Sequence, residues 1–217
     1  MNAQEQQLRF FRDWRIKESE IVLGAVVAEG AEGKVFRGTL LSSNRTVAVK
    51  KSKVETQTAV WSEAEIAFMM SVHHPRLVEF IGAGQMFDKE NQGNVSFCVV
   101  EFLDGGSLNT RLWGKPRESV TWQERLRWSL DTSEGLKYIH GHGFTHRDIK
   151  SGNILYDIQS GRAKVADFGM SRDVLSRAEP AYDGSASPQS PQMLMTDAFG
   201  TLQYLAPELC TTQTSHR

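Results

Sequence analysis

The chain opens on a polar stretch and changes texture at Ile21. From there IVLGAVV, KVFRGTL and TVAVKKS follow as short β-branched runs separated by Gly, Ser and Asn. That is the pattern of successive strands joined by tight turns. SEAEIAFMMSVHH places Ile66, Met69 and Met70 at roughly helical spacing and predicts a helix. LVEFIGAG and VSFCVVEF return to strand texture on either side of the polar turn DKENQGN. Strands, one main helix and more strands predict a small sheet-rich unit ending near Phe102.

Beyond it, LDGGSL is a glycine-containing connector and a candidate hinge. Thr121 and Glu124 form a T-x-x-E capping box, and Trp122, Leu126, Leu130 and Leu136 follow at helical spacing, with Gly141 and Gly143 as the stop. The stretch from Leu175 to Thr196 is rich in Ser, Pro, Ala and Met without periodicity, so a long mobile loop is expected. Near the N-terminus Leu8, Phe11 and Trp14 stand three apart on one helical stripe. They predict a short helix or linker packed on the sheet-rich unit, or else a partner-binding helix.

Composition narrows the function classes. The 217 residues carry 25 Lys plus Arg against 26 Asp plus Glu, so nothing points to a nucleic-acid partner, and any anion site must be local. Cys98 and Cys210 are the only cysteines, too few and too far apart for a disulfide framework or a zinc site, which makes a reducing compartment the default. No apolar run approaches the roughly 18 residues of a bilayer span, and the N-terminus lacks a secretory signal. A soluble, cytoplasmic protein is expected.

Taken singly, EGAEGKV reads as a hairpin and the lysine of TVAVK as a solvated strand edge. HRDIKSGN is different: His146, Arg147, Asp148, Lys150 and Asn153 crowd five polar groups between apolar flanks, which is costly unless they are paired or used. ADFGMS follows after two strand-like runs, and YLAPE after the long loop. This ordered series resembles the protein kinase family over about residues 20–210. Lys150, two places after Asp148, resembles the serine/threonine type, and the SEI before the first strand with HRDIKSGNIL is similar to the tyrosine-kinase-like group.

The resemblance implies an α+β, two-lobed kinase fold: a small β-sheet lobe with one main helix over residues 20–102, and a mainly helical larger lobe over 103–217, with 1–19 as an N-terminal extension or linker. It implies transfer of the ATP γ-phosphate to a protein Ser or Thr hydroxyl, with ATP and Mg²⁺ as cofactors, a protein substrate and an upstream activating kinase. Ala28, Gly30 and Gly33 would cover the triphosphate, because residues with little or no side chain let backbone N–H groups approach phosphate. Val35 and Ala48 would roof the adenine, Leu155 would floor it, and Val100 would stand at the gatekeeper position. Glu101 and Leu103 would offer backbone groups to the adenine edge. Lys50 would hold the α- and β-phosphates, with Glu65 as its counter-charge and Glu63 ranked second. Asp167 and Asn153 would hold the metal ions. Asp148 would accept or orient the substrate proton, Lys150 would steady the γ-phosphate, and Thr201 would contact Asp148. Met69, Phe80, His146 and Phe168 match the family's stacked spine.

Arg147 resembles the arginine that receives a phosphate from the loop after Asp167. Ser185, Ser187, Ser190 and Thr196 are the candidate phosphosites there. Two features depart from the pattern. Ala28 stands where the family usually has its first glycine, and Glu32 where an aromatic often caps the loop tip, which puts a negative charge near the triphosphate. The chain also stops soon after Glu208, so an incomplete larger lobe is expected, with Glu208 lacking its family arginine. A truncated non-catalytic nucleotide-binding or scaffold fragment is the alternative reading.

Overall fold

The computed structural model describes residues 14–30, 33–52, 63–89, 92–114, 119–167, 172–173 and 201–207. Five antiparallel strands, β1 (Ile21–Glu29), β2 (Gly33–Leu40), β3 (Arg45–Ser52), β4 (Phe80–Asp88) and β5 (Gly93–Glu101), form one sheet in the order β1-β2-β3-β5-β4. Side-chain alternation gives it two different faces. Val47 and Val49 of β3 pack with Phe97 and Val99 of β5, all four fully buried, in a cluster completed by Ile16, Ile21, Leu40, Met86 and Val95. Each such side chain contributes roughly 1.5–3 kcal/mol of burial. The intervening Ala48 and Lys50, paired opposite Val100 and Cys98, turn to the other face.

On that second face lies helix α1 (Glu63–Ser71), whose Ile66, Phe68 and Met69 join Phe80, Ala83 and Cys98 in the larger core cluster. Trp14 belongs to the same cluster, but it is not on a helix. The extended segment Trp14–Ile16 lies along β4: Ile16 N–H donates to the Ala83 carbonyl and Ala83 N–H to the Trp14 carbonyl, each at 2.9 Å. Gly82 and Gly84 make this possible, since a Cβ on Gly82 would collide with the Trp14 carbonyl and Ile16, and one on Gly84 with the Ile16 carbonyl and Phe97. The unpaired edge of β4 takes Trp14 to Ile16 into an extended pairing. Leu8 and Phe11 lie outside the described residues.

After β5 the glycine connector leads into a short helix, α2 (Leu108–Trp113), capped by Ser107 Oγ accepting from Thr110 N–H at 3.2 Å. Helix α3 (Trp122–Gly141) begins at the predicted capping box: Thr121 Oγ1 accepts from Glu124 N–H, and Glu124 Oε2 accepts from Thr121 N–H. The hydrogen bonds from Thr121 hold the Glu124 carboxyl below its ordinary range. The helix buries a different stripe from the apolar one, namely Trp128, Asp131, Gly135 and Ile139. Trp122, Leu126 and Leu130 are exposed, and only Leu136 of the predicted set packs on the core. Against α3 sit β6 (Phe144–Thr145) and the hairpin of β7 (Ile154–Asp157) and β8 (Arg162–Val165); β6 also pairs with β9 (Arg172–Asp173).

A charge fixes that hidden helix face. The Asp131 carboxylate, fully buried, accepts from Arg162 Nε at 2.8 Å and from Ala163 N–H at 2.9 Å, and pairs with Arg76 Nε at 3.1 Å. The carboxylate thereby joins α3 to β8 and to the segment leading into β4. Asp131→Ala leaves the buried Ala163 N–H without its acceptor and, among the described residues, Arg76 and Arg162 with only the Glu134 carboxylate beside them. The expected loss is about 1–3 kcal/mol, read as a fall in the urea unfolding midpoint against the unaltered chain.

Candidate active site

The segment between β6 and β7 folds tightly around one carboxylate. A short 3-10 turn over Ser151–Asn153 brings Asn153 back toward Asp148, whose Oδ2 accepts from Asn153 Nδ2 at 2.9 Å and from Lys150 Nζ at 2.6 Å. Its Oδ1 accepts from Thr201, by the backbone N–H at 3.1 Å and by Oγ1 at 3.0 Å, and Thr201 Oγ1 also accepts from Lys150 Nζ at 2.8 Å. Burial alone would raise the Asp148 pKa; the hydrogen bonds from Lys150, Thr201 and Asn153 outweigh it and hold the carboxyl below its ordinary range. Asp148 is therefore an anion and an acceptor at neutral pH.

His146 lies beneath, almost wholly buried. Its Nε2 meets the Ala166 carbonyl at 2.8 Å, and its Nδ1 accepts from Asp148 N–H at 3.3 Å. Those two partners require one ring nitrogen to donate and the other to accept, which only the neutral imidazole does. Burial pushes its pKa down in the same direction. Next to it, Arg147 takes a left-handed backbone, φ 69°, and so does Asp167, φ 65°. A non-glycine residue in that region costs of order 1–3 kcal/mol, and such residues cluster at functional sites.

Asp167 follows β8 and faces the sheet. Its Oδ1 accepts from Lys50 Nζ at 2.7 Å, a pair only partly exposed. Cys98 stands opposite Lys50 in the strand register, and burial pushes its thiol up to about 12, so it stays neutral beside the ammonium. Asp167 supplies a counter-charge. Val35 is the register partner of Lys50, and Ala48 that of Val100, so these half-buried residues share the sheet face that carries the lysine. Half-buried Leu155 lies in β7, and Glu101 and Leu103 follow Val100 into the connector. The β1–β2 turn is closed by Gly30 N–H donating to the Gly33 carbonyl at 2.9 Å, with Ala28 opposite Val35. Gly33 is required there because any Cβ would strike the Lys51 carbonyl, whereas Gly30 faces open space.

Against this geometry, the sequence profile described as "Protein kinase domain" matches residues 22–217. The chain belongs to the protein kinase family. Among relatives of this kinase, the Chitin elicitor receptor kinase 1 of Arabidopsis thaliana is 36% identical over 185 residues, covering 84% of this chain and 26% of that protein. The Nodulation receptor kinase of Pisum sativum is 34% identical over 194 residues, covering 87% and 19%. A leucine-rich repeat receptor-like serine/threonine-protein kinase of Arabidopsis thaliana is 32% identical over 204 residues, covering 92% and 21%. The chain thus spans about a fifth to a quarter of the length of these relatives. Among the described residues, no helix of the kinase is long and apolar enough to cross a membrane.

Several anticipated residues lie outside the described ones: the side chains of Glu63 and Glu65, and all of Glu32, Phe168, Ser185, Ser187, Ser190, Thr196 and Glu208. Met69, Phe80 and His146 of the anticipated spine are each buried. Sequence reasoning missed Lys164, whose Nζ reaches both carboxylate oxygens of Glu101 at 2.8 Å. An isolated lysine in the four-residue run RAKV is an ordinary strand-edge residue by sequence, and only the fold brings the Glu101 carboxylate to it.

The neutral state of His146 sets a pH dependence. Its folded pKa lies below the unfolded value of about 6.5, so the unfolded chain takes up the proton first and stability is lost as pH falls below that value. Asp148, with its pKa depressed, contributes stability that is lost only at lower pH, on titration of the folded carboxyl. Urea midpoints of the kinase should therefore fall from about pH 7 toward about pH 5.5. His146→Gln should flatten that window and leave the more acidic loss in place.

Proposed function

We propose that this kinase is of the serine/threonine type and transfers the ATP γ-phosphate to a Ser or Thr hydroxyl of a protein. The supporting observation is the Asp148 carboxylate, held as an anion by Lys150, Asn153 and Thr201. In this reading the substrate oxygen bonds to the γ-phosphorus, its proton passes to Asp148, and the bond to the departing ADP oxygen breaks. Little covalent work falls to the protein, so placing the hydroxyl and neutralising charge make up most of the catalysis. Lys150, already within reach of Asp148 and Thr201, would move to the γ-phosphate. Lys50 would take the α- and β-phosphates, and Val35, Ala48, Val100 and Leu155 would enclose the adenine.

Mg²⁺ fits the residues present. Asn153 uses its amide nitrogen on Asp148, by both the backbone carbonyl and the side chain, which leaves its oxygen as the donor for a cation, and Asp167 adds a carboxylate. Two hard oxygen ligands completed by phosphate and water are how Mg²⁺ is usually bound. The ion would neutralise phosphate charge as the transfer proceeds. The serine/threonine assignment draws on Lys150 and Thr201 sharing one hydrogen-bonded unit with Asp148, and on the name of one relative. A cytoplasmic site of action, with a protein substrate and an upstream activating kinase, goes with this reading.

Incubation of the purified chain with labelled ATP, Mg²⁺ and a generic protein substrate should yield phosphoserine or phosphothreonine. Asp148→Asn should lower the rate by about 100- to 10,000-fold with ATP still bound. Phosphotyrosine as the sole product would refute the serine/threonine assignment, and an undiminished Asp148→Asn rate would refute the role of the carboxylate.

A further inference from the structure

The last residue of β5 carries a second carboxylate that the transfer chemistry does not use. Glu101 accepts from Lys164 Nζ on both oxygens at 2.8 Å, and its Oε1 also accepts from Glu79 N–H at 2.8 Å. In return Glu101 N–H donates to the Glu79 carbonyl at 2.9 Å. The ion pair is largely shielded, with side-chain exposures of 12% for Glu101 and 17% for Lys164. Arg45 extends the chain of charges by pairing with Glu79 at 2.7 Å, but both are exposed and that link is weak.

The placement of Lys164 gives the pair a purpose. Lys164 is the register partner of Leu155 in the β7–β8 hairpin. The connector after Glu101 returns to the same hairpin, where Tyr156 N–H donates to the Gly106 carbonyl at 2.8 Å and Ser107 bridges Leu155. Residues 101–107 are thus pinned at both ends to the β7–β8 hairpin, at Lys164 of β8 and at Leu155 and Tyr156 of β7. On the proposed reading, Leu155 is the adenine floor and the backbone of 101–103 the adenine edge. The distance between floor and edge is then set by the Glu101–Lys164 pair. We propose that Glu101 and Lys164 are positioning residues for the purine, a clasp behind the hinge that holds its backbone donors and acceptor at the height the ring requires.

The inference rests on the ATP-binding reading, and the experiment separates the two. Calorimetric titrations with ATP and with inorganic tripolyphosphate, each with Mg²⁺, are compared for the unaltered chain, Lys164→Met, Lys164→Arg and Glu101→Gln. Lys164→Met should weaken ATP about tenfold, since small misplacements of a binding group carry costs of that order or more, while tripolyphosphate affinity stays within about twofold. Lys164→Arg, whose fork also reaches both carboxylate oxygens, should restore ATP affinity. Glu101→Gln should weaken ATP in the same selective way, and it carries the comparison should Lys164→Met fail to fold. Unchanged ATP affinity in both charge-removing variants, or equal losses of ATP and tripolyphosphate, overturns the clasp alone. An unaltered chain that binds no ATP overturns both the clasp and the nucleotide reading.

Discussion

The rest of the molecule depends on how the four residues of β8, and the two after them, satisfy their polar groups away from water. Arg162 and the Ala163 N–H are taken by Asp131 of α3. Lys164 is taken by Glu101, and Val165 exchanges backbone hydrogen bonds with Arg76 and Val78 on the approach to β4. Ala166 donates to Asn153 and receives His146, and Asp167 receives Lys50. An unpaired buried N–H or charge costs far more than a made hydrogen bond returns. Six consecutive residues therefore tie the five-stranded sheet, the long helix and the segment that carries Asp148 into one arrangement.

Function grows out of that tie. Asn153 donates by its side chain to Asp148 and accepts by its backbone from Ala166, so the order of β8 reaches the carboxylate through one residue. His146 does the same from beneath, and its neutral state is a condition of both its contacts. The left-handed backbones of Arg147 and Asp167 sit at either end of this hydrogen-bonded stretch, where the surrounding bonds can hold them. The family match places the chain among protein kinases, and the geometry explains how these residue types can hold charge at fixed positions.

How much was legible in the sequence depends on the range of each interaction. The strand over TVAVKKS and the Thr121–Glu124 box at the start of the long helix were legible, because both are local effects. Asp148, Lys150 and Asn153 fall within six residues and were legible for the same reason. Periodicity says which residues share a helix face but not which face turns inward, so Trp122, Leu126 and Leu130 came out exposed while Asp131 went in. Asp131 is buried because Arg76 and Arg162 arrive from distant parts of the chain. Trp14 and Ile16, two apart, carried a strand signal that the three-residue stripe hid, and Gly82 and Gly84 marked the groove for it. The role of Glu101's side chain was invisible beside the role expected of its backbone.

With so many partners across the molecule, β8 opens only when the whole domain opens, and hydrogen exchange measures this directly. The amides of Ala163, Val165 and Ala166 should exchange at the rate of global unfolding and slow further with ATP and Mg²⁺, since a ligand of the native state raises the unfolding free energy. Exchange of these amides as fast as that of the exposed turn at Gln159 and Ser160, and indifferent to nucleotide, would contradict it.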